Sequence, residues 1–412
     1  MNKSPSCSWS IPRTRARTHA VVIARCLAAW ASCLACVAVA APFIPASDEQ
    51  VLEILPVKAG DPVARELREL RAALAALPSD VNRAVALAQR YFDLASAEGD
   101  PRYIGYAEAV IRPWLGKDIP LEVQYTRALL RQYRHDFDNA IRDLDAVLAR
   151  DPQHADALAW KWALYLVMAD YDRARDGCDR RRGIASPASQ AACVASIDSL
   201  TGKAAEAYAA LDAAVKRDPD HSADFRQWVA TRLGEIALRT GNAARAERHF
   251  KEAIATGVTD GYVLAAYADL LLDLNRPQEV IALLRDWGRS DILLLRLAIA
   301  EKLVSSPAAP ARAQALADRF ADSALRGDKL HLAEEARFEL VLRSNPARAL
   351  ELAVENWKAL QREPRDVRVL LEAALAAKNA EAARPALEWM QRTGYQETRH
   401  RELTAALGKL AK

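Results

Sequence analysis

The sequence predicts an all-α chain: an α-solenoid of stacked helix–turn–helix units wound into a right-handed superhelix. Three observations carry this. Leucine and alanine dominate while glycine is held to 15 of 412 residues, and Ala and Leu are strong helix formers where Gly is not. Apolar residues recur at spacings of four and three, which puts them on one face of a helix. The same turn-then-helix pattern also returns along the chain. It reads DFDNAIRDLDAVLARDP at 136–152, GKAAEAYAALDAAVKRDP at 202–219, GNAARAERHFKEAIATG at 241–257 and NRPQEVIALLRDWG at 275–288.

The N-terminal segment is read first. Residues 1–40 hold Lys3, Arg13, Arg15, Arg17 and Arg25 and no acid. The apolar run CLAAWASCLACVAV at 26–39 follows, and then small residues that fit cleavage after Ala40. This is the order of a secretory signal peptide, and the run falls short of the roughly 20 residues that a membrane span needs. The basic part is long, so a start near Val21 or Val22 is an open reading, and so is a lipid anchor on Cys36. Without those five cations the chain holds 52 basic against 54 acidic residues, so the body gives no electrostatic case for nucleic-acid binding. Four of six cysteines lie in the leader; Cys178 and Cys193 remain. In an exported protein such a pair reads as a disulfide, with two buried thiols as the alternative.

Residues 41–60 read as an extended linker, and 61–118 as N-terminal helices with a degenerate repeat. Residues 119–290 are the core repeats, 291–395 a degenerate continuation, and 396–412 a capping helix. In the core, each unit opens with Gly, Asn or Asp. A small residue follows at Ala140, Ala207, Ala246 or Val280, and a bulky one at Leu144, Leu211, Phe250 or Leu284. Another apolar helix lies upstream of each. The clearest is QWVATRLGEIALRTGN at 227–242, with Leu233-Gly234 and Ala237 ahead of the turn at Gly241. Small residues let two helices approach closely, while Pro152 and Pro219 stop a helix. The register fails at 155–174, where Trp162 takes the small position; either the helix is shifted or the groove is filled there.

Two helices per unit, a period of about 34 residues and a terminal proline resemble the tetratricopeptide repeat. Phe137, Ala140, Leu144, Val147 and Pro152 fall on its signature positions. So do Gly202, Ala207, Leu211, Ala214 and Pro219, then Leu233 to Ala253, then Tyr267, Ala268, Leu271, Val280, Leu284 and Trp287. The resemblance implies that Cys178 and Cys193 lie on neighbouring packed helices. It also implies that the first helices line a concave groove for a protein or peptide partner. The groove positions are Tyr125, Gln132 and Tyr133; Trp228, Thr231, Glu235 and Arg239; and Tyr262, Asp269 and Asp273. The Lys and Asn with which some members clamp a C-terminal carboxylate are absent, since those places hold Tyr125, Leu129, Thr231, Glu235, Ala265 and Asp269.

Other chemistry is not signalled. Asp151, His154, Asp218 and His221 read as punctuation between repeats rather than as a metal set, and neither H-E-x-x-H nor a Cys/His cluster occurs. SLTGKA at 199–204 resembles a phosphate-loop tail but lacks its earlier glycine, so Gly202 reads as a turn. Glu334-Glu335 reads as a solvated face. No catalytic, cofactor or metal residue is assigned. The expectation is a non-enzymatic scaffold of the bacterial envelope, periplasmic or secreted, with no membrane span after processing and with self-association left open. A structural component of an outer-membrane-associated complex and an unrecognised envelope enzyme stand as alternatives.

Overall fold

One turn geometry recurs and sets the architecture. At His135, Ala169, Gly202, Gly241, Asn275, Ser305 and Lys378 the backbone takes a φ between +54° and +88°. The next N–H then donates to the carbonyl five residues back: Asp136 to Arg131, Asp170 to Tyr165, Asn242 to Ala237, Arg276 to Leu271 and Asn379 to Ala374. That bond closes a helix and reverses the chain. Asp170, Asn242 and Asn379 then cap the following helix, each accepting from a backbone N–H three residues on.

The computed structural model describes residues 61–325 and 331–410, with Ser47 and Gly327. The expected leader with its cleavage site and Cys36, and the expected linker at 41–60 apart from Ser47, lie outside the described residues. The chain divides into units 1–64 and 65–412. Of the first unit only Ser47 and 61–64 are described, the latter opening helix α1 (Pro62–Ala76). Nine helix pairs follow in the second unit. They are α2 (Val81–Glu98) with α3 (Arg102–Ile111), α4 (Leu121–Tyr133) with α5 (Phe137–Arg150), α6 (Ala155–Val167) with α7 (Tyr171–Arg180), α8 (Pro187–Leu200) with α9 (Ala204–Arg217), and α10 (Ala223–Arg239) with α11 (Ala243–Ala255). After them come α12 (Gly261–Asp273) with α13 (Pro277–Leu284), α14 (Asp291–Leu303) with α15 (Ala309–Leu325), α16 (Leu332–Val341) with α17 (Pro346–Lys358), and α18 (Pro364–Ala376) with α19 (Ala380–Thr393). A short 3-10 turn (Thr398–His400) leads into α20 (Arg401–Leu410), and no strand occurs among the described residues.

The repeat positions pack as their sizes dictate. Leu144, Ala140, Ala246, Phe250 and Ala253 are fully buried. A Cβ on Gly234 would stand 2.8 Å from the Phe250 ring, so only glycine lets α10 and α11 approach this closely. Trp162 fits by exchange: a Cβ on Gly177 of α7 would lie 3.3 Å from the Trp162 Cβ, so the large and small partners have swapped helices. Cys178 and Cys193 are disulfide-bonded, with Cα atoms 5.8 Å apart, and join α7 to α8. His154 caps α6 through Nδ1, and His221 packs at a tilt on Phe225, ring centroids 4.3 Å apart, so each serves its own turn.

Successive turns of the superhelix touch. Gly202 has φ +88°, and a Cβ there would meet the Gly394 carbonyl at 3.0 Å. The Arg362 N–H donates to Val167 O, and Thr398 Oγ1 donates to Arg239 O. One apolar core therefore joins Trp162, Tyr171, Cys178 and Ile197 to Leu352, Val367, Trp389 and Leu407. No described helix is long and apolar enough to cross a membrane.

Candidate functional site: a charged axial cavity

The winding brings the first helices of five consecutive pairs face to face. Glu235 and Arg239 come from α10, Tyr262 and Asp269 from α12, Arg296 from α14, Arg337 from α16, and Arg365, Arg368 and Glu372 from α18. Glu363 ahead of α18, and Glu397 and Arg399 beside the 3-10 turn, complete the wall of a cavity of about 90 Å³.

Its charges are paired both across helices far apart in sequence, at Asp269 and Asp273, and locally along the chain. Asp269 accepts from Arg296 at 2.7 Å and from Arg337 at 2.6 Å. Asp273 accepts from Arg368 at 2.7 Å and from Arg399 at 3.2 Å. Glu397 pairs with Arg399, Glu372 with Arg368, Glu363 with Arg365 and Glu235 with Arg232. The Tyr262 hydroxyl donates to Glu235, and the Arg232 and Arg365 guanidiniums stand 5.1 and 5.2 Å from its ring centroid, in cation–π range.

Burial and charge compete at each acid. Burial opposes the Asp269 carboxylate, but Arg296 and Arg337 outweigh it and hold its pKa well below the ordinary range. Burial likewise opposes the Glu397 charge, yet Arg399, His400 and Arg239 bring that group down to about 2. At Asp366, beside the cavity, burial wins over Arg365, and the group is pushed up to about 7. Burial also drives the Tyr262 hydroxyl upward, with Glu235 adding to it.

The ten expected groove residues separate accordingly. Glu235, Arg239, Tyr262 and Asp269 line the cavity, and Asp273 stands at its edge through Arg368 and Arg399. Thr231 is buried and bonds back to Gln227 O. Trp228 packs edge-on against Trp162 at 6.2 Å. Tyr125, Gln132 and Tyr133 lie elsewhere on α4: Tyr125 is buried against His154, Gln132 is half-buried, and Tyr133 reaches Ala95 O at 3.4 Å. From Glu235 to Asp269 the expected groove positions therefore face the chain itself. The chain's own α16, α18 and 398–400 turn occupy the facing side, because the superhelix is wound tightly enough to meet itself. The solvated reading of Glu334-Glu335 is corrected, since Glu334 is buried. Burial opposes its charge, and Arg365 and Arg296 hold it in the ionised form.

Sequence reasoning missed Arg296, Arg337, Glu363, Arg365, Arg368, Glu372, Glu397 and Arg399. One signal was present. Arg296 is a lone cation inside the apolar run ILLLRLAIA, a position that demands a buried partner. Among the described residues, no three His, Cys, Asp or Glu side chains gather as a metal site.

No protein-family model matches the chain, and no curated protein matches its sequence. Solved structures do. The Cut9–Hcn1 hetero-tetramer of the APC/C aligns with a TM-score of 0.52 at 13% identity, over 85% of this chain and 67% of that one. Rap protein complexed with competence and sporulation factor gives 0.45 at 14% identity, over 84% and 93%. A tetratricopeptide repeat protein from Parabacteroides merdae gives 0.36 at 14% identity, over 61% and 98%. At these identities the likeness is one of fold.

Proposed function

We propose that this tetratricopeptide-like superhelix is a non-enzymatic interaction scaffold of the bacterial envelope, engaging a partner protein by its outer faces and ends rather than along its axis. The observation that carries this reading is the self-closure. The residues best suited to grip an extended peptide, Arg239, Asp269 and Asp273, already hold their own chain. What stays available is the outer layer of second helices, with charged exposed positions such as Arg248 and Lys251 on α11. Export is supported by the composition of residues 1–40 and by a disulfide in a chain that keeps only two cysteines beyond its leader.

Crosslinking in the periplasm, followed by capture of the tagged chain and mapping of the linked residues, tests it. A dominant partner linked through second-helix lysines such as Lys251 is the expected result. Links confined to first-helix residues would overturn the outer-face reading. The mass of the processed N-terminus tests export separately: a start at Ala41 supports a soluble periplasmic protein, a diacylated Cys36 a lipoprotein, and an unprocessed leader contradicts both.

A further inference from the structure

We infer that the axial cavity is a binding site for a small oxyanion with at least two acceptor oxygens, inorganic phosphate or a short carboxylate, held at Arg239. Every other arginine on the cavity wall has a carboxylate within salt-bridge distance. Among the described residues Arg239 has none within that distance, and Glu397, the carboxylate it acts on at longer range, is paired with Arg399. It is 8% exposed, its one side-chain bond goes from Nη1 to the neutral Ser199 hydroxyl at 3.1 Å, and its Nε has no acceptor. Arg296, 3% exposed, also has an Nε without an acceptor. A buried guanidinium with unused donors is costly, and an anion removes that cost.

The cavity supplies the remaining requirements. A cavity of about 90 Å³ has room for several waters or one small polyatomic anion. Solvent reaches it: the Arg365 side chain is 38% exposed, that of Arg399 27% and that of Arg368 24%, although all three sit among packed helices. The carboxylates on the wall do not repel an anion at Arg239 unopposed, because each already carries its own cation. The site exists only when α18 and the 398–400 turn close against α10, so the anion would also fasten the superhelix shut.

The test is calorimetric titration of the intact processed chain with sodium phosphate and, in a second arm, sodium succinate, against sodium chloride at matched ionic strength. The expected result is saturable one-site binding of at least one oxyanion. Arg239→Gln should weaken it tenfold or more, and Arg276→Gln, on the outer surface, should leave it unchanged. Should Arg239→Gln lose its helical circular dichroism, Arg239→Lys takes its place: it keeps the charge, loses the guanidinium fork and should weaken binding several-fold. The arm that saturates identifies the anion class. Absence of saturable heat in both arms, or parental affinity in a folded Arg239→Gln protein, overturns the inference.

Discussion

The α10–α11 hairpin and the axial cavity share helix α10 but are held together by opposite physics. On one face of α10, Gly234 and Ala237 meet Phe250, Ala246 and Ala253, and contact is limited only by size. On the other, Glu235 and Arg239 line a cavity shared with Arg365, Arg368 and Glu397, more than a hundred residues on. The first face is a property of one repeat and recurs in its neighbours. The second arises where the superhelix meets itself. Local packing builds the pairs, and the charges lock one winding of them.

Breaking the local face should cost most. Phe250→Ala should lose about 3–5 kcal/mol, read from urea unfolding, because it empties a fully buried site that glycine cannot refill. Gly234→Val should lose about 1–3 kcal/mol by overpacking, and Phe250→Leu in the same chain should recover part of it. On the axial face, Asp269→Asn leaves Arg296 and Arg337 without their carboxylate and should cost about 3 kcal/mol. Reducing the Cys178–Cys193 bond, which closes a separation of 15 residues, should cost a similar amount, about 3 kcal/mol, seen as a lower midpoint in dithiothreitol. The surface pair Lys216–Asp212 sits outside both faces, and Lys216→Ala should leave the midpoint within error.

Acidity sharpens the same contrast, since Glu397 lines the axial cavity and Asp366 stands beside it, and both are shifted. Glu397 is held at about 2 from an ordinary 4.5, so its contribution is complete above 4.5 and is lost as pH falls toward 2. Asp366 runs the other way. Raised to about 7 from 3.8, it contributes fully below 3.8 and loses that contribution as pH rises through 7. Unfolding midpoints measured from pH 2 to 8 should fall at both ends. Glu397→Gln should flatten the acid limb and Asp366→Asn the neutral one. Unchanged limbs in these variants would remove the charges from the account.

The difference between the faces also explains what could be read from sequence. Leu233, Gly234, Ala237, Ala246 and Phe250 announce their packing because the rule linking them is local: a spacing of three or four and a size. Trp162 broke that rule on paper, and its compensation at Gly177 lay in the next helix, within reach of the same reasoning. The axial site follows no local rule. Whether Asp269 meets Arg337, or Asp273 meets Arg368, depends on small rotations added over three repeats, and a modest change in each would carry α18 away from α12. Glu235, Arg239, Tyr262 and Asp269 stand on first helices and line the cavity, while the residues opposite them follow from no repeat rule.

The closed axis is the central claim, and a double-mutant cycle on Asp269 and Arg337 tests it most directly. The two stand 68 residues apart and touch only in the closed winding. Asp269→Asn, Arg337→Gln and the pair together, compared by urea unfolding, should show a coupling of about 1–3 kcal/mol. Additive losses, to within about 0.3 kcal/mol, would mean that α12 and α16 do not meet in solution and that the axis is an open groove.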